Sequence, residues 1–218
     1  MNVTDAVKRR KSVRAFLDKP VSDDLIRQLI ETAARAPSGG NLQPWHLFVI
    51  NGPSMTRFRE FLQTRTDPEI PPYTIYPEGL DDPYQARRLQ VAETMYASLG
   101  IAREDKARRH EHLMSNFDFF GAQAAAFCFV DKQMGPPQWS DLGMYLQTFM
   151  LLATEAGLAT CPQEAWSFKA ASVSEFVGAG NNLMLFCGIA IGYEDTGAPV
   201  NQFQTEREDL PVWAKFIE

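Results

Sequence analysis

A chain of 218 residues with a hydrophobic share of 45% and a charged share of 22% has the proportions of an ordinary globular protein. Its net charge of −6 argues against a general nucleic-acid binder. No apolar span is long enough to cross a membrane and MNVTDAVKRRK lacks the apolar centre of a signal peptide, so a cytoplasmic protein without membrane attachment is expected.

Residues 5–11 read as a short helix that runs into KRRKSVRAF, the densest positive charge in the chain (Lys8, Arg9, Arg10, Lys11, Arg14). Three uses compete for it: a solvated charge run, a patch for an anionic surface, or a phosphate clamp. For the last, Arg10 offers a bidentate fork and Ser12 a hydroxyl. Ser22 is a good N-cap, and Asp23 and Asp24 put negative charge in the first turn that follows. Leu25, Ile26, Leu29, Ile30 and Ala33 then define an amphipathic helix ending near Arg35.

That helix delivers APSGGNLQPWHLFVI (36–50), the stretch around which the chain is organised. Pro37 ends the helical pattern, and Gly39 and Gly40 allow a ligand to approach the main chain. Asn41 and Gln43 each present a carbonyl and an NH₂, a pattern suited to the edge of a flat heterocycle, although a helix–turn–strand connection would also use these residues. WHLFVI reads as a short buried strand. Pro53 starts a helix to about Thr64. Residues 65–83 have no sustained period and form an irregular excursion in which Tyr73, Ile75 and Tyr76 call for burial.

Two helices follow, over 84–101 and about 105–114. Phe117, Phe119 and Phe120 in NFDFFGA serve either as core or as an aromatic wall over a flat ligand. AAAFCFV is a strand. Residues 139–157 form the most hydrophobic helix, apolar nearly all round, which places it at the centre of the fold or across a dimer interface. LATCPQEAW reads as a strand that breaks at Pro162 into a turn. A helix over 169–178 and the buried strand LMLFCGIAIGY complete the regular elements. From Tyr193 the chain is polar and extended, and its apolar end (Leu210, Val212, Trp213, Phe216, Ile217) must dock elsewhere, by preference on a second subunit. Strands alternating with a larger number of helices give an α/β or α+β class. Cys128, Cys161 and Cys187 lack zinc-type spacing, and His110 and His112 face different ways on a helix, so metal chemistry is not expected. Cys161 has no evident base partner for a catalytic role.

RRKSVRAF, APSGGNLQPW and TEREDLP, in that order, resemble the FMN-dependent nitroreductase family. PYQARR, GIAREDKARR, NFDFFGA and TCPQEAW resemble its nitrobenzoate-reductase-like branch. The likeness runs from about Lys8 to Phe216. It implies an α+β nitroreductase-like fold, a central mixed sheet flanked by helices, in one domain spanning 1–218. It also implies an intertwined homodimer with two FMN sites at the subunit interface and a tail, from about 193 to 218, docked on the partner.

By the same resemblance, Arg10, Lys11 and Ser12 match the N-terminal flavin-binding run, and Arg10 takes the FMN phosphate together with Arg207. Arg14 matches the basic position near the N1 and O2 edge. Pro37, Ser38 and Gly39 match the loop supplied by the other subunit, and Asn41 and Gln43 the positions near the polar edge and ribityl chain. Gln163, Glu164 and Ala165 match the turn whose backbone N–H reaches flavin N5. Lys11 stands where an arginine is frequent and Ala165 where glycine is. Either Arg87 or Arg88 is expected to reach the site as well, and the sequence does not choose between them.

The activity implied is ping-pong transfer of hydride from NADH or NADPH through flavin N5 to a nitroaromatic or quinone-type acceptor. No side chain need act as acid or base, because the cofactor carries the chemistry. Reductive dehalogenation, nitro-group removal or flavin destruction on the same scaffold is one alternative, and a flavin-binding module without turnover is another. Phe117, Phe119 and Phe120, with the 65–83 excursion, are the candidate substrate wall.

Overall fold

In the computed structural model, which describes residues 1–217, helices α1 (Val3–Arg9) and α2 (Asp23–Ala33) precede strand β1 (His46–Asn51). Helices α3 (Pro53–Gln63), α4 (Tyr84–Ser98) and α5 (Lys106–Met114) lead to β2 (Ala124–Asp131). Then come α6 (Pro136–Glu155), β3 (Ala159–Gln163), α7 (Ala170–Val177), β4 (Leu183–Gly192) and the one-turn α8 (Leu210–Trp213). The sheet order is β1-β2-β4-β3. This is the expected α+β architecture, with one qualification: all three strand pairings are antiparallel. The parallel component is an isolated bridge between Ser12 and Thr160.

The alternation of β2 separates two cores. Ala124, Ala126, Cys128 and Val130 face α2 and α6, packing with Leu142, Tyr145 and Phe149. Ala125, Phe127 and Phe129 face the other way, onto Met55, Phe58 and Trp166. Period-2 side-chain placement is the cause. Within β4 the period slips: Cys128 pairs with Cys187 and Phe129 with Leu185, leaving Phe186 as a bulge residue outside the ladder. Its freed carbonyl accepts the Tyr73 hydroxyl, which anchors the 65–83 excursion. Glu69 adds a second anchor by accepting from Ala171 N at 2.7 Å at the start of α7.

The Ser22 cap forms as expected, accepting from Leu25 N at 3.4 Å. Three other expectations change. β1 is an edge strand rather than a buried one: among the described residues no strand pairs with its outer side, and His46 and Val49 are exposed. α6 starts at Pro136 and buries one face, through Leu142, Tyr145, Leu146, Phe149, Met150 and Ala153, while Gly143 and Met144 stay exposed on the other. β3 passes through Pro162 to Gln163, since Pro162 loses only a donor and the strand lies at the opposite sheet edge. In the tail Leu210, Val212, Trp213, Phe216 and Ile217 are all exposed, up to 90% for Ile217. Among the described residues no helix is long and apolar enough to cross a membrane.

Candidate functional site

Past α1 the chain lies along β3. Val13 N donates to Thr160 O at 3.0 Å, beside the Ser12–Thr160 bridge. Asn201, 1% exposed, locks this segment: its Oδ1 accepts from Arg14 N at 2.8 Å and its Nδ2 donates to Ala15 O at 2.8 Å. Nothing in the local sequence marks Asn201 for that task.

Arg10 ends α1 in this fixed backbone. Burial lowers its pKa, and the neighbouring Arg207 guanidinium lowers it further. An arginine stays charged regardless, so two cations from the chain's two ends stand close together. Among the described residues Arg10 has no carboxylate partner. Arg207 spends Nη1 on Thr205 Oγ1 and Glu206 O, each at 2.7 Å, leaving Nε and Nη2 for an anion. A cavity of about 340 Å³ includes Arg10 and Thr160, and one of about 510 Å³ includes Arg207; Gln204 lines both. Unpaired like charges beside polar concavities form a site for a multiply charged anion.

Lys11 departs from the expected flavin-binding run. Its Nζ meets Glu194 at 2.7 Å and donates to Asn201 O, so its charge is already neutralised. Arg14 keeps its guanidinium near its own segment, with Nη1 donating to Ser12 O at 3.3 Å. Burial and the Arg14 charge hold the His112 pKa below its usual value, so a neutral imidazole lies beside Arg14.

Gln163 is 3% exposed and its side chain is fully engaged: Nε2 donates to Asn116 O at 2.8 Å and Oε1 accepts from Trp166 Nε1 at 3.3 Å. It can serve a ligand only through its backbone. The chain turns into a 3-10 segment at Glu164–Lys169. Glu164 is an exposed residue, yet burial around its carboxyl raises its pKa. Cys161, next to Arg10 and Arg14, is pushed up by burial to about 11 and remains a thiol, which removes it as a nucleophile.

Loop 37–43 lies elsewhere. Gly39 N donates to Asp141 Oδ1 at 3.2 Å and Oδ2 at 3.3 Å, which ties the loop to the beginning of α6. The Arg10 cavity includes Thr154, near the end of the same helix. At 1.5 Å per residue, those two points on α6 are about 20 Å apart. Pro37, Ser38, Gly39, Asn41 and Gln43 are therefore not brought to Arg10, Ser12, Arg14 and Arg207 within one protomer.

The aromatic wall is also corrected. Phe119 and Phe120 are 0% and 8% exposed and adopt left-handed φ values of 52° and 55° that turn them into the core. Phe119 lies 4.5 Å from Trp166 between ring centroids, and Phe117 meets the same indole edge-on at 5.3 Å. Phe117 and Phe119 pack on Trp166, Phe120 meets His112, and the buried Phe119 and Phe120 present no open face, whereas Phe117 is half-buried. Arg87 and Arg88 also separate: Arg87 pairs with Glu208 at 2.7 Å beside Arg207, whereas Arg88 stacks over Tyr76 at 4.0 Å.

A Nitroreductase family model matches residues 7–193. The 4-nitrobenzoate reductase of Pseudomonas putida is 34% identical over 97% of this chain and 93% of its own length. Among solved structures, the FMN and NADPH-dependent nitroreductase NfnB from Sphigopyxis sp. strain HMH is 44% identical with a TM-score of 0.95, covering both chains entirely. The FMN-dependent NfnB from Mycobacterium smegmatis, solved with NADPH, is 33% identical with a TM-score of 0.89 over the whole of both chains.

Proposed function

Because the chain belongs to the nitroreductase family, we propose that it is an FMN-dependent oxidoreductase that reduces nitroaromatic acceptors with NAD(P)H. Quinone-type acceptors are a second substrate class for the same site. The observation that carries the flavin assignment is the convergence of Arg10 and Arg207 without a carboxylate for Arg10 among the described residues. A phosphomonoester dianion fits two guanidinium groups, and the donors present suit it.

Each residue then has a binding task. Arg10 and Arg207 would hold the phosphate, with the Ser12 hydroxyl as a further donor. Arg14 would supply a positive charge to the pyrimidine end. The backbone at Glu164 and Ala165 offers N–H donors to the ring, while Gln163 keeps the turn in shape through Asn116 and Trp166. When bound, FMN supplies the hydride chemistry by which NAD(P)H reduces the acceptor. No residue of the chain is required as a nucleophile or a proton carrier.

The site closes in a homodimer. Its support is the roughly 20 Å along α6 between the Asp141-bound loop and the Arg10 cavity, which one protomer cannot shorten. Pro37, Ser38, Gly39, Asn41 and Gln43 are assigned to the flavin of the other copy. The exposed tail from Leu210 to Ile217 and the open Gly143–Met144 face of α6 are the surfaces that copy would cover. The chain otherwise works as one nitroreductase-like unit, with 65–83 as a tethered excursion.

Titration of the flavin-free protein with FMN tests this reading. Arg10→Ala and Arg207→Ala each remove charge-assisted bonds worth about 1.5–3 kcal/mol and should weaken binding about 10- to 100-fold. Lys11→Ala, which breaks a pair with Glu194, should change it far less. Equal affinity across wild type and both arginine variants would remove the phosphate clamp.

A further inference from the structure

We propose that Asp141 is a positioning residue that holds loop 37–43 in the shape needed by the flavin of the other copy. The inference rests on the flavin reading above and extends it to a residue outside the contact set. Gly40, Asn41 and Gln43 have φ values of 58°, 58° and 49°. Glycine tolerates that region, but asparagine and glutamine occupy it at a cost, and glutamine at a larger one. Something must hold the loop there.

Bonds within the loop give it internal shape. Gln43 N donates to Ser38 Oγ at 3.0 Å, Asn41 N to Ser38 O at 2.9 Å, and Gln43 Nε2 to Asn41 O at 3.3 Å. None of these fixes the loop to the body. The polar tie is Asp141, whose two oxygens share the Gly39 N–H at 3.2 and 3.3 Å. Trp45 stacking on Tyr145 at 4.8 Å fixes the strand side of the same turn.

Asp141 is 4% exposed and pairs with no cation among the described residues. Burying an unpaired acid is costly, and an apolar residue at this buried position would avoid that cost. The carboxylate supplies two acceptors that aim Gly39 N–H inward. With that N–H turned toward α6, the far side of the Ser38–Gly39 backbone stays free for a flat ring. A Cβ on Gly39 would sit at ordinary contact distance, 3.9 Å, from Asp141 Oδ2. Space alone therefore does not require glycine here, and the bond from Gly39 N–H to Asp141 is what fixes the backbone at this point.

Mixed dimers separate this role from plain stability. One copy carries Arg10→Ala with Arg207→Ala, so a single clamp remains, on the other copy. Asp141→Leu is then placed either on the clampless copy or on the clamp-bearing one, and FMN affinity is read by fluorescence titration. The proposal expects about 10- to 100-fold weaker binding when the change is on the clampless copy, and little change when it is on the other. Asp141→Asn, which keeps an acceptor oxygen and the side-chain volume, should restore most of the loss. Equal weakening in both placements would make Asp141 a folding residue of its own chain and overturn the proposal, as would no weakening in either. An unmutated dimer that takes up no FMN would overturn the flavin reading and this proposal with it.

Discussion

Arg10 and Lys11 are adjacent in a basic run, yet one lies near Arg207 with no carboxylate partner among the described residues and the other pairs with Glu194. Adjacency offers no means of separating them, because Glu194 and Asn201 arrive from more than 180 residues away. Asp141 was not singled out either, because one acid in α6 gives no sign of which backbone it will meet. Two predictions belong at this scale. Burial raises the Glu164 pKa, so the folded state favours the uncharged carboxyl. That preference is fully present below the ordinary carboxylate range, about pH 4, and is lost as pH rises through the raised value. Thermal unfolding of flavin-free Glu164→Gln should match wild type in acid and exceed it at neutral pH; a pH-independent difference would contradict the assignment. Cys161, near 11, should resist alkylation in the native protein at about pH 8 and react after unfolding.

Elements with strong periodicity or sharp terminal signals were readable from the chain. The α2 cap and stripe, the Pro53 start of α3 and the strands around Cys128 and Cys187 stand where the residues indicate. Ser22→Ala should cost about 1 kcal/mol in equilibrium unfolding, the usual value of such a cap. β1 misled because an apolar run does not report whether a strand will have one neighbour or two. NFDFFGA misled for a related reason: aromatic content looks the same in a core as in a ligand wall, and only the left-handed turn at Phe119 and Phe120 decides. Gly188 shows how tight that core is, since a Cβ there would lie 2.3 Å from Trp166 Cδ1. Gly188→Ala should lower stability by about 1–3 kcal/mol through forced repacking, read as a lower denaturant midpoint.

For the whole molecule, the two motifs of the proposed flavin site were legible, and the family resemblance assigned the second to another subunit, but the distance between them within one copy was not readable from the chain. RRKSVRAF and APSGGNLQPW carry no mark of their spacing, which α6 sets at about 20 Å within one protomer. The exposed apolar tail was readable as unpaired, for a chain end with five large apolar residues and no core of its own needs a surface. Removing residues from 209 onward should yield monomers that retain FMN poorly, measured by light scattering and flavin content; dimers with full flavin would place the interface elsewhere. The central claim is electron flow from nicotinamide to a nitroaromatic through bound FMN. Anaerobic mixing of the flavin-loaded protein with NADPH or NADH, followed by a nitroaromatic acid, tests it most directly. The account predicts that the yellow absorbance bleaches with at least one nicotinamide and returns as the nitro group is reduced; a colour that neither nicotinamide bleaches would contradict it.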